Sequence, residues 1–195
     1  MTQLIQTPIQ VGSLTVLDGC MFAGKSGTLI HEANTLRRQN INVVIVAPAM
    51  SRRRESEKER LESHDGVVAL CETSYLEVDQ LYQVCLSLNA QVICIDEAQF
   101  FNDLLKTCLD LRKRGVAVLV AGLSLTSNRT PFGEMHALLD RADNVVKRKA
   151  VCEFCHRYNA TLSFRTCDDK ETICVGGKAQ YVPSCQLCFD ERFKN

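Results

Sequence analysis

The sequence carries no surplus of either charge. Its 23 lysines and arginines stand against 23 aspartates and glutamates, a formal net charge of +0 at pH 7. A chain without a field of one sign has little to gather a polyanion, so nucleic-acid binding by bulk charge is not expected. No apolar run approaches the ~20 residues of a membrane span. Met1 to Gly12 lacks a basic start and a hydrophobic stretch, so no signal peptide is evident; the expected compartment is the cytosol, with no membrane partner. Internal repeats and low-complexity tracts are missing too. Tryptophan is absent and tyrosine is scarce, at 4, and neither shortage excludes a function class.

What remains is ordinary for a globular chain: 195 residues, 46% hydrophobic and 24% charged. That composition excludes disorder, collagen and coiled coil as descriptions of the whole. A chain of this length buries roughly 70% of its unfolded surface and needs no disulfides to hold a core. Its 11 cysteines therefore point elsewhere. Without a secretory signal thiols stay reduced, which favours metal binding over disulfides.

To about Val146 the pattern alternates short β-branched runs with amphipathic stretches. Strands are predicted at Ser13 to Leu17, Asn42 to Ala47, Val67 to Leu70, Val92 to Ile95 and Val116 to Ala121. Helices are predicted at Gly24 to Gln39, Glu77 to Leu88 and Leu104 to Arg114. Buried strands alternating with helices predict an α/β fold, a mostly parallel sheet flanked by helices. Ser51 to Ser63 is dense in charge and reads as a solvated helix or loop; its interleaved glutamates argue against a nucleic-acid contact. From about Ala150 cysteines become frequent and helical periodicity fades. A boundary is placed near Lys149, giving a domain at residues 12–149 and a tail at 150–195 that is small for a self-sufficient core.

Gly19-Cys-Met-Phe-Ala-Gly24-Lys25-Ser26 fits the phosphate-loop pattern G-x-x-x-x-G-K-[ST], with a strand before it and a helix after it. Glycines let the backbone approach phosphate oxygens, and the helix N-terminus offers N–H groups and a positive dipole end. Gly19, Met21, Phe22, Ala23, Gly24 and Lys25 are thus candidate ATP-phosphate contacts. Lys25 reaches the β and γ phosphates, and the Ser26 hydroxyl is a Mg²⁺ ligand. Val92-Ile-Cys-Ile95 followed by Asp96 and Glu97 has the form of a Walker B strand. Asp96 is the second candidate for Mg²⁺, and Glu97 is free to face a nucleophile. Strict strand alternation would point these two acids to opposite sides; a strand end relaxes that rule. These residues specify a nucleoside triphosphatase or a kinase without choosing between them.

Cys152-x-x-Cys155 and Cys185-x-x-Cys188 make two C-x-x-C pairs, suited to tetrahedral Zn²⁺. The 29 residues between them exceed the usual ribbon spacing of about 15–20 and imply an insertion. Such a metal gives a coreless subdomain its folding energy. Cys152-x-x-Cys155-His156 also fits haem attachment, which would idle the second pair. A redox dithiol is disfavoured because neither pair is expected to follow a strand and open a helix. Cys20, Cys71, Cys85, Cys94 and Cys108 sit in apolar settings and read as core. Cys20 lies inside the phosphate loop and is for that reason also a candidate reactive thiol. Cys167 and Cys174 are not taken as ligands, and His31 and His136 read as surface or packing residues.

Taken together, the phosphate loop, Ile95-Asp96-Glu97-Ala98-Gln99-Phe100-Phe101, Pro131-Phe132-Gly133 and the two C-x-x-C pairs resemble the type II thymidine kinases. So do Ser63-His64-Asp65-Gly66 and Val175-Gly176-Gly177 followed by Tyr181. The resemblance spans roughly Gly12 to Phe189, with motifs in the family's order. It implies a RecA-like P-loop sheet plus a C-terminal zinc-binding lasso domain. It implies γ-phosphoryl transfer from ATP, with Mg²⁺, to the 5′-hydroxyl of thymidine, giving thymidine monophosphate. By matched position, Glu97 is the expected general base and Lys25 and Arg52 assist at the phosphates. Met21, Phe100 and Phe132 are expected pocket walls, and Val175, Gly176 and Tyr181 lasso contacts, beside a structural Zn²⁺ on the four cysteines. The family also implies a homotetramer and feedback by thymidine triphosphate.

Three positions depart from the family pattern. Met50-Ser51-Arg52 stands where the family has Asp-Thr-Arg. Ser127 stands where an aromatic stacks on the base, a contact worth ~0.5–1.5 kcal/mol beyond area. Cys20 replaces a proline, which changes loop stiffness. Ser127 motivates an alternative, a nucleoside kinase of altered base preference. Met50 motivates another, a catalytically weak nucleotide-binding regulator. A zinc-ribbon nucleic-acid module is opposed by the neutral charge.

Overall fold

The computed structural model describes residues 9–47, 60–62, 68–70, 77–166 and 180–193. Its centre is a five-stranded sheet. The strands are β1 (Leu14–Gly19), β2 (Val43–Val46), β5 (Val92–Ile95), β6 (Ala117–Gly122) and β7 (Asn144–Arg148), in the order β2-β5-β6-β1-β7. All four pairings are parallel. Every residue of β2, β5 and β6 is buried, because helices cover both faces; their sequences are accordingly continuous apolar runs.

The two faces separate by strand alternation. Leu14, Val16, Ile93, Ile95, Val118 and Val120 point to one side. There they meet helices α2 (Val78–Ser87), α3 (Leu104–Lys113) and α4 (Met135–Arg141), through Leu81, Leu104, Leu111 and Leu138. Leu17, Ile45, Cys94 and Leu119 point to the other side, against Leu29, Ile30 and Ala33 of α1 (Lys25–Arg38). Cys85, Cys94 and Cys108 lie in these cores as expected. Burial pushes the Cys85 and Cys108 thiols up to about 12, so neither is reactive at neutral pH.

Three elements differ from the sequence expectation. The strand predicted at Val67 to Leu70 forms as β4 (Val68–Leu70), but it pairs antiparallel with β3 (Arg60–Glu62), outside the main sheet. β3 falls in the charge-dense stretch read as a solvated helix or loop; residues 51–59 and 63 of that stretch lie outside the described residues. Strand β7 was not predicted: it is the sheet edge, its residues alternate half-buried and exposed, and it lacks a continuous apolar run.

The tail holds hairpin β8 (Ala150–Val151) with β9 (Tyr158–Ala160), the pair β10 (Leu162–Arg165) with β11 (Tyr181–Ser184), and helix α5 (Gln186–Phe193). It has a small aromatic core. Phe154, Phe164, Phe189 and Phe193 contact in sequence at centroid distances of 5.4, 5.3 and 5.2 Å. Packing also runs across Lys149: Cys20 and Ala23 of the phosphate loop cluster with Ala150, Cys152, Ala160 and Cys185. Among the described residues no helix is long and apolar enough to cross a membrane.

Candidate active site

Strand β1 ends at Gly19 and α1 begins at Lys25, so the candidate phosphate loop is a strand-to-helix turn. Two of its residues take left-handed backbone, Phe22 at φ 63° and Gly24 at φ 73°. A Cβ on Gly19 would collide with the Arg148 carbonyl of neighbouring β7, so that position requires glycine. The Lys25 Nζ folds back and donates to the Gly19 carbonyl at 2.9 Å and the Cys20 carbonyl at 2.8 Å. Burial of this ammonium lowers its pKa, while the charge of Glu97 works in the opposite direction, followed by Cys20, Asp96 and Asp18.

The loop is also held from outside. Met21 N donates to the Ser163 hydroxyl of β10 at 3.0 Å, and the Cys20 thiol donates to the Ala160 carbonyl at 3.5 Å. Arg148 Nε donates to the Ala23 carbonyl at 3.4 Å. Cys20 is 3% exposed, and burial raises its pKa. Of the two readings of Cys20, the structure bears out the core one and not the reactive one: the thiol is a packed donor, because desolvation outweighs the nearby Lys25 charge.

At the end of β5, Asp96 is buried and accepts a hydrogen bond from the Ser26 hydroxyl. Burial, and then the charge of Glu97, push its carboxyl up to about 7. Glu97 escapes strand alternation through left-handed backbone, φ 49° and ψ 43°, at the start of a 3-10 turn (Ala98–Phe100). Both acids consequently act on Lys25. Gln99 Nε2 donates to Glu97 Oε2 at 2.6 Å while its Oε1 accepts from Leu123 N at 3.0 Å. This amide fixes the carboxylate against the end of β6.

The loop from β6 to α4 makes the next wall. Phe132 meets Phe100 edge to face at 5.4 Å, and Phe132 N donates to the Ser124 carbonyl at 3.0 Å. Gly133, at φ 52°, passes so close to Gln99 that a Cβ would strike the Gln99 carbonyl. Ser127 is buried within its own small hairpin, which Leu125 and Pro131 bridge. Tyr181, at the start of β11, is buried; its hydroxyl accepts from Arg165 at 3.0 Å. Arg52, Met50, Val175 and Gly176 lie outside the described residues.

The ligand sulfurs of Cys152, Cys155, Cys185 and Cys188 all lie within 4.8 Å of one another. Tetrahedral Zn–S bonds of about 2.3 Å put sulfurs roughly 3.8 Å apart; Cys155 and Cys185 are separated by 3.8 Å. The donor set therefore fits zinc. Burial disfavours a thiolate at Cys152, yet backbone N–H groups of Cys155, Cys185 and Phe154 overcome it and bring the pKa to about 6. One ground for setting aside a redox role is corrected: Cys185 does follow a strand, β11, and Gln186 opens α5. The four-sulfur cluster supplies the stronger ground. It leaves neither pair as an isolated dithiol, and it engages the second pair that haem attachment would idle.

Sequence reasoning missed Gln99, Ser163, Arg148 and Asp18. Asp18 is a buried carboxylate whose Oδ1 accepts from Ser124 N at 3.3 Å. Its signal was an acid inside the apolar strand LTVLDG. Ser163 and Arg148 gave none, since their partners are more than a hundred residues away in sequence.

The family model described as thymidine kinase matches residues 12–189. The chain is similar to thymidine kinases of three sources. It is 35% identical to that of Bacteroides fragilis, covering 95% of this chain and 90% of the relative. Identity is 34% to that of Yaba monkey tumor virus, covering 91% and 94%. It is 29% to that of Pseudothermotoga lettingae, covering 92% and 96%. With the phosphate loop, the acidic strand end and the cysteine cluster on one frame, the chain belongs to the thymidine kinase family.

Proposed function

We propose that this chain is an ATP-dependent kinase that transfers the γ-phosphoryl group to the 5′-hydroxyl of thymidine, giving thymidine monophosphate and ADP. The observation that carries this reading is the convergence of Lys25, Ser26, Asp96 and Glu97 at the carboxyl end of the sheet, in a chain of this family. In the proposed step the 5′-oxygen attacks the γ-phosphorus as the bond to the β-phosphate oxygen breaks. Glu97 takes the hydroxyl proton, and ADP leaves.

The other roles follow from the chain's own groups. Lys25 exchanges its loop carbonyls for phosphate oxygens, beside backbone N–H groups of residues 19–24 and Arg52. Asp96 and Ser26 fit a divalent cation, because a carboxylate and a hydroxyl, both hard oxygen donors, meet at the end of β5. Mg²⁺ bound there neutralises charge on the phosphates. Gln99 holds Glu97 in one orientation. Met21, Phe100, Phe132 and Tyr181 wall the nucleoside, and by family match Val175 and Gly176 contact it. The four cysteines hold a structural Zn²⁺ that staples residues 150–195 onto a kinase domain at 12–149. A cytosolic homotetramer with thymidine triphosphate as feedback inhibitor completes the reading.

A second reading rests on Ser127. No ring stands at that position for a base to stack on. That favours a nucleoside kinase of altered base preference, which parallel assays with thymidine, deoxyuridine and deoxycytidine would resolve.

The test is steady-state ADP release from zinc-loaded protein with Mg-ATP, with and without thymidine. Thymidine-dependent release that drops roughly 10²–10⁴-fold in Glu97→Gln is expected. Equal turnover by parent and variant would sink the assignment of the base. ATP binding without turnover on any nucleoside would sink the kinase reading.

A further inference from the structure

Arg129 sits at the tip of the β6–α4 loop with left-handed backbone, φ 62°. A residue other than glycine holds that conformation only where its surroundings over-determine it. The surroundings are visible. Arg129 Nη1 donates to Asp190 Oδ1 of α5 at 2.7 Å. Its guanidinium lies 5.1 Å from the Phe189 ring centre and 5.3 Å from that of Phe193. Phe189 is 1% exposed and in contact with both Phe164 and Phe193. Gln186 Nε2 donates to the other oxygen of Asp190 at 2.8 Å. The arginine therefore grips a prepared seat on the cysteine unit.

On its own side Arg129 belongs to a tight loop. Arg129 N donates to the Thr126 carbonyl, and Thr126 N donates to the Thr130 carbonyl at 2.9 Å. The Thr126 and Thr130 hydroxyls are 2.7 Å apart. Pro131 and Phe132 follow directly, and Phe132 is braced on Phe100, three residues after Glu97. A force on Arg129 is thus passed to Phe132 through two residues, Thr130 and Pro131.

We infer that Arg129 is a positioning residue that ties the terminal helix of the cysteine unit to the nucleoside wall of the site. The inference rests on the proposed nucleoside pocket and adds to it a device for setting the wall's position. The pairing of an ionic hydrogen bond with two aromatic faces suits arginine and not lysine, whose ammonium cannot stack as a plane.

The test has two arms. Without any nucleoside, hydrogen exchange of residues 124–132 is compared in the parent, Arg129→Gly and Arg129→Lys, with zinc content measured alongside. Arg129→Gly removes the side chain and relieves the backbone but also loosens the loop, so Asp190→Ala, which cuts the same ionic bond from α5 and leaves the loop sequence intact, is measured beside it and is expected to speed exchange there too. Faster exchange there, with zinc content unchanged and Arg129→Lys intermediate, is expected; unchanged exchange overturns the latch. With nucleoside, the KM for thymidine is expected to rise about tenfold in Arg129→Gly while the KM for ATP stays put, the loss of a charged hydrogen bond being of that order. Equal losses in both constants, together with zinc loss, would mean a merely structural role and overturn the proposal. Faster exchange in a protein whose parent does not phosphorylate thymidine would leave the latch standing and remove the reading of its pocket.

Discussion

The phosphate loop and the cysteine unit are made in opposite ways. The loop is local: within residues 19–28 the carbonyls that accept Lys25 Nζ are five and six residues before it, and Thr28 N returns to the Gly24 carbonyl at 3.0 Å. The cysteine unit is assembled from a distance, with Cys155 and Cys185 thirty residues apart in sequence. It also lends two groups, Ser163 Oγ and the Ala160 carbonyl, to the loop. The lesson is that a local motif can be complete in its residues and still depend on a remote unit for its shape.

Removing zinc should break that comparison most severely. Chelation, or Cys185→Ser, should unfold the cysteine unit, since structural zinc sites carry apparent binding energies of about 10–16 kcal/mol. The five-stranded sheet should persist in far-ultraviolet circular dichroism. ATP affinity should fall as well, because Met21 and Cys20 lose their partners. Undiminished ATP affinity in the zinc-free protein would show the loop to be self-sufficient.

Gly19→Ala probes the local side. Its Cβ would meet the Arg148 carbonyl, a backbone atom with no freedom to retreat. A cost of about 2 kcal/mol or more is expected in denaturant unfolding, with zinc content unaffected. A neutral result would mean that β7 is free to shift at its end.

Asp96 gives a pH signature. Its folded carboxyl sits near 7 against 3.8 for the free group. The folded state therefore holds a proton that the unfolded chain has released. This contribution to stability is complete below about pH 4 and is lost as pH rises through 7. Without divalent cation, Asp96→Asn should flatten the fall in Tm between pH 5 and 8. An unchanged slope would assign the pH dependence to another group.

Ser163→Ala is the gentlest cut. It strands the Met21 amide and should cost about 1 kcal/mol, read as a modest rise in the KM for ATP. No change in that constant would make the bond a packing accident.

The sequence made the loop legible because its function forces residue types into a short window. Gly19, Gly24, Lys25 and Ser26 each answer to a backbone angle, a collision or a charge. The acidic strand end was legible for the same reason, and the four cysteines because metal geometry restricts spacing. The rest was hidden by distance or by ambiguity. Strand β7 escaped because an edge strand needs no apolar run. Helix α5 escaped because its single buried residue, Phe189, sets no period. Gln99 stood in plain view, yet an amide beside an acid has meaning only when Leu123 N appears across from it. Cys20 carried two readings, core and reactive, because the groups that bury it, Ala150, Cys152, Ala160 and Cys185, are far from the loop in sequence.

The bond from Met21 to Ser163 spans 142 positions. At about 5–20 residues per second, translation takes roughly 7–28 s to cover that interval. The phosphate loop must therefore wait for a residue made long after it. A polypeptide that stops early has a phosphate loop with its inner residues intact and its outer brace missing. In the cell, competence at this site would mark a chain synthesised past residue 163.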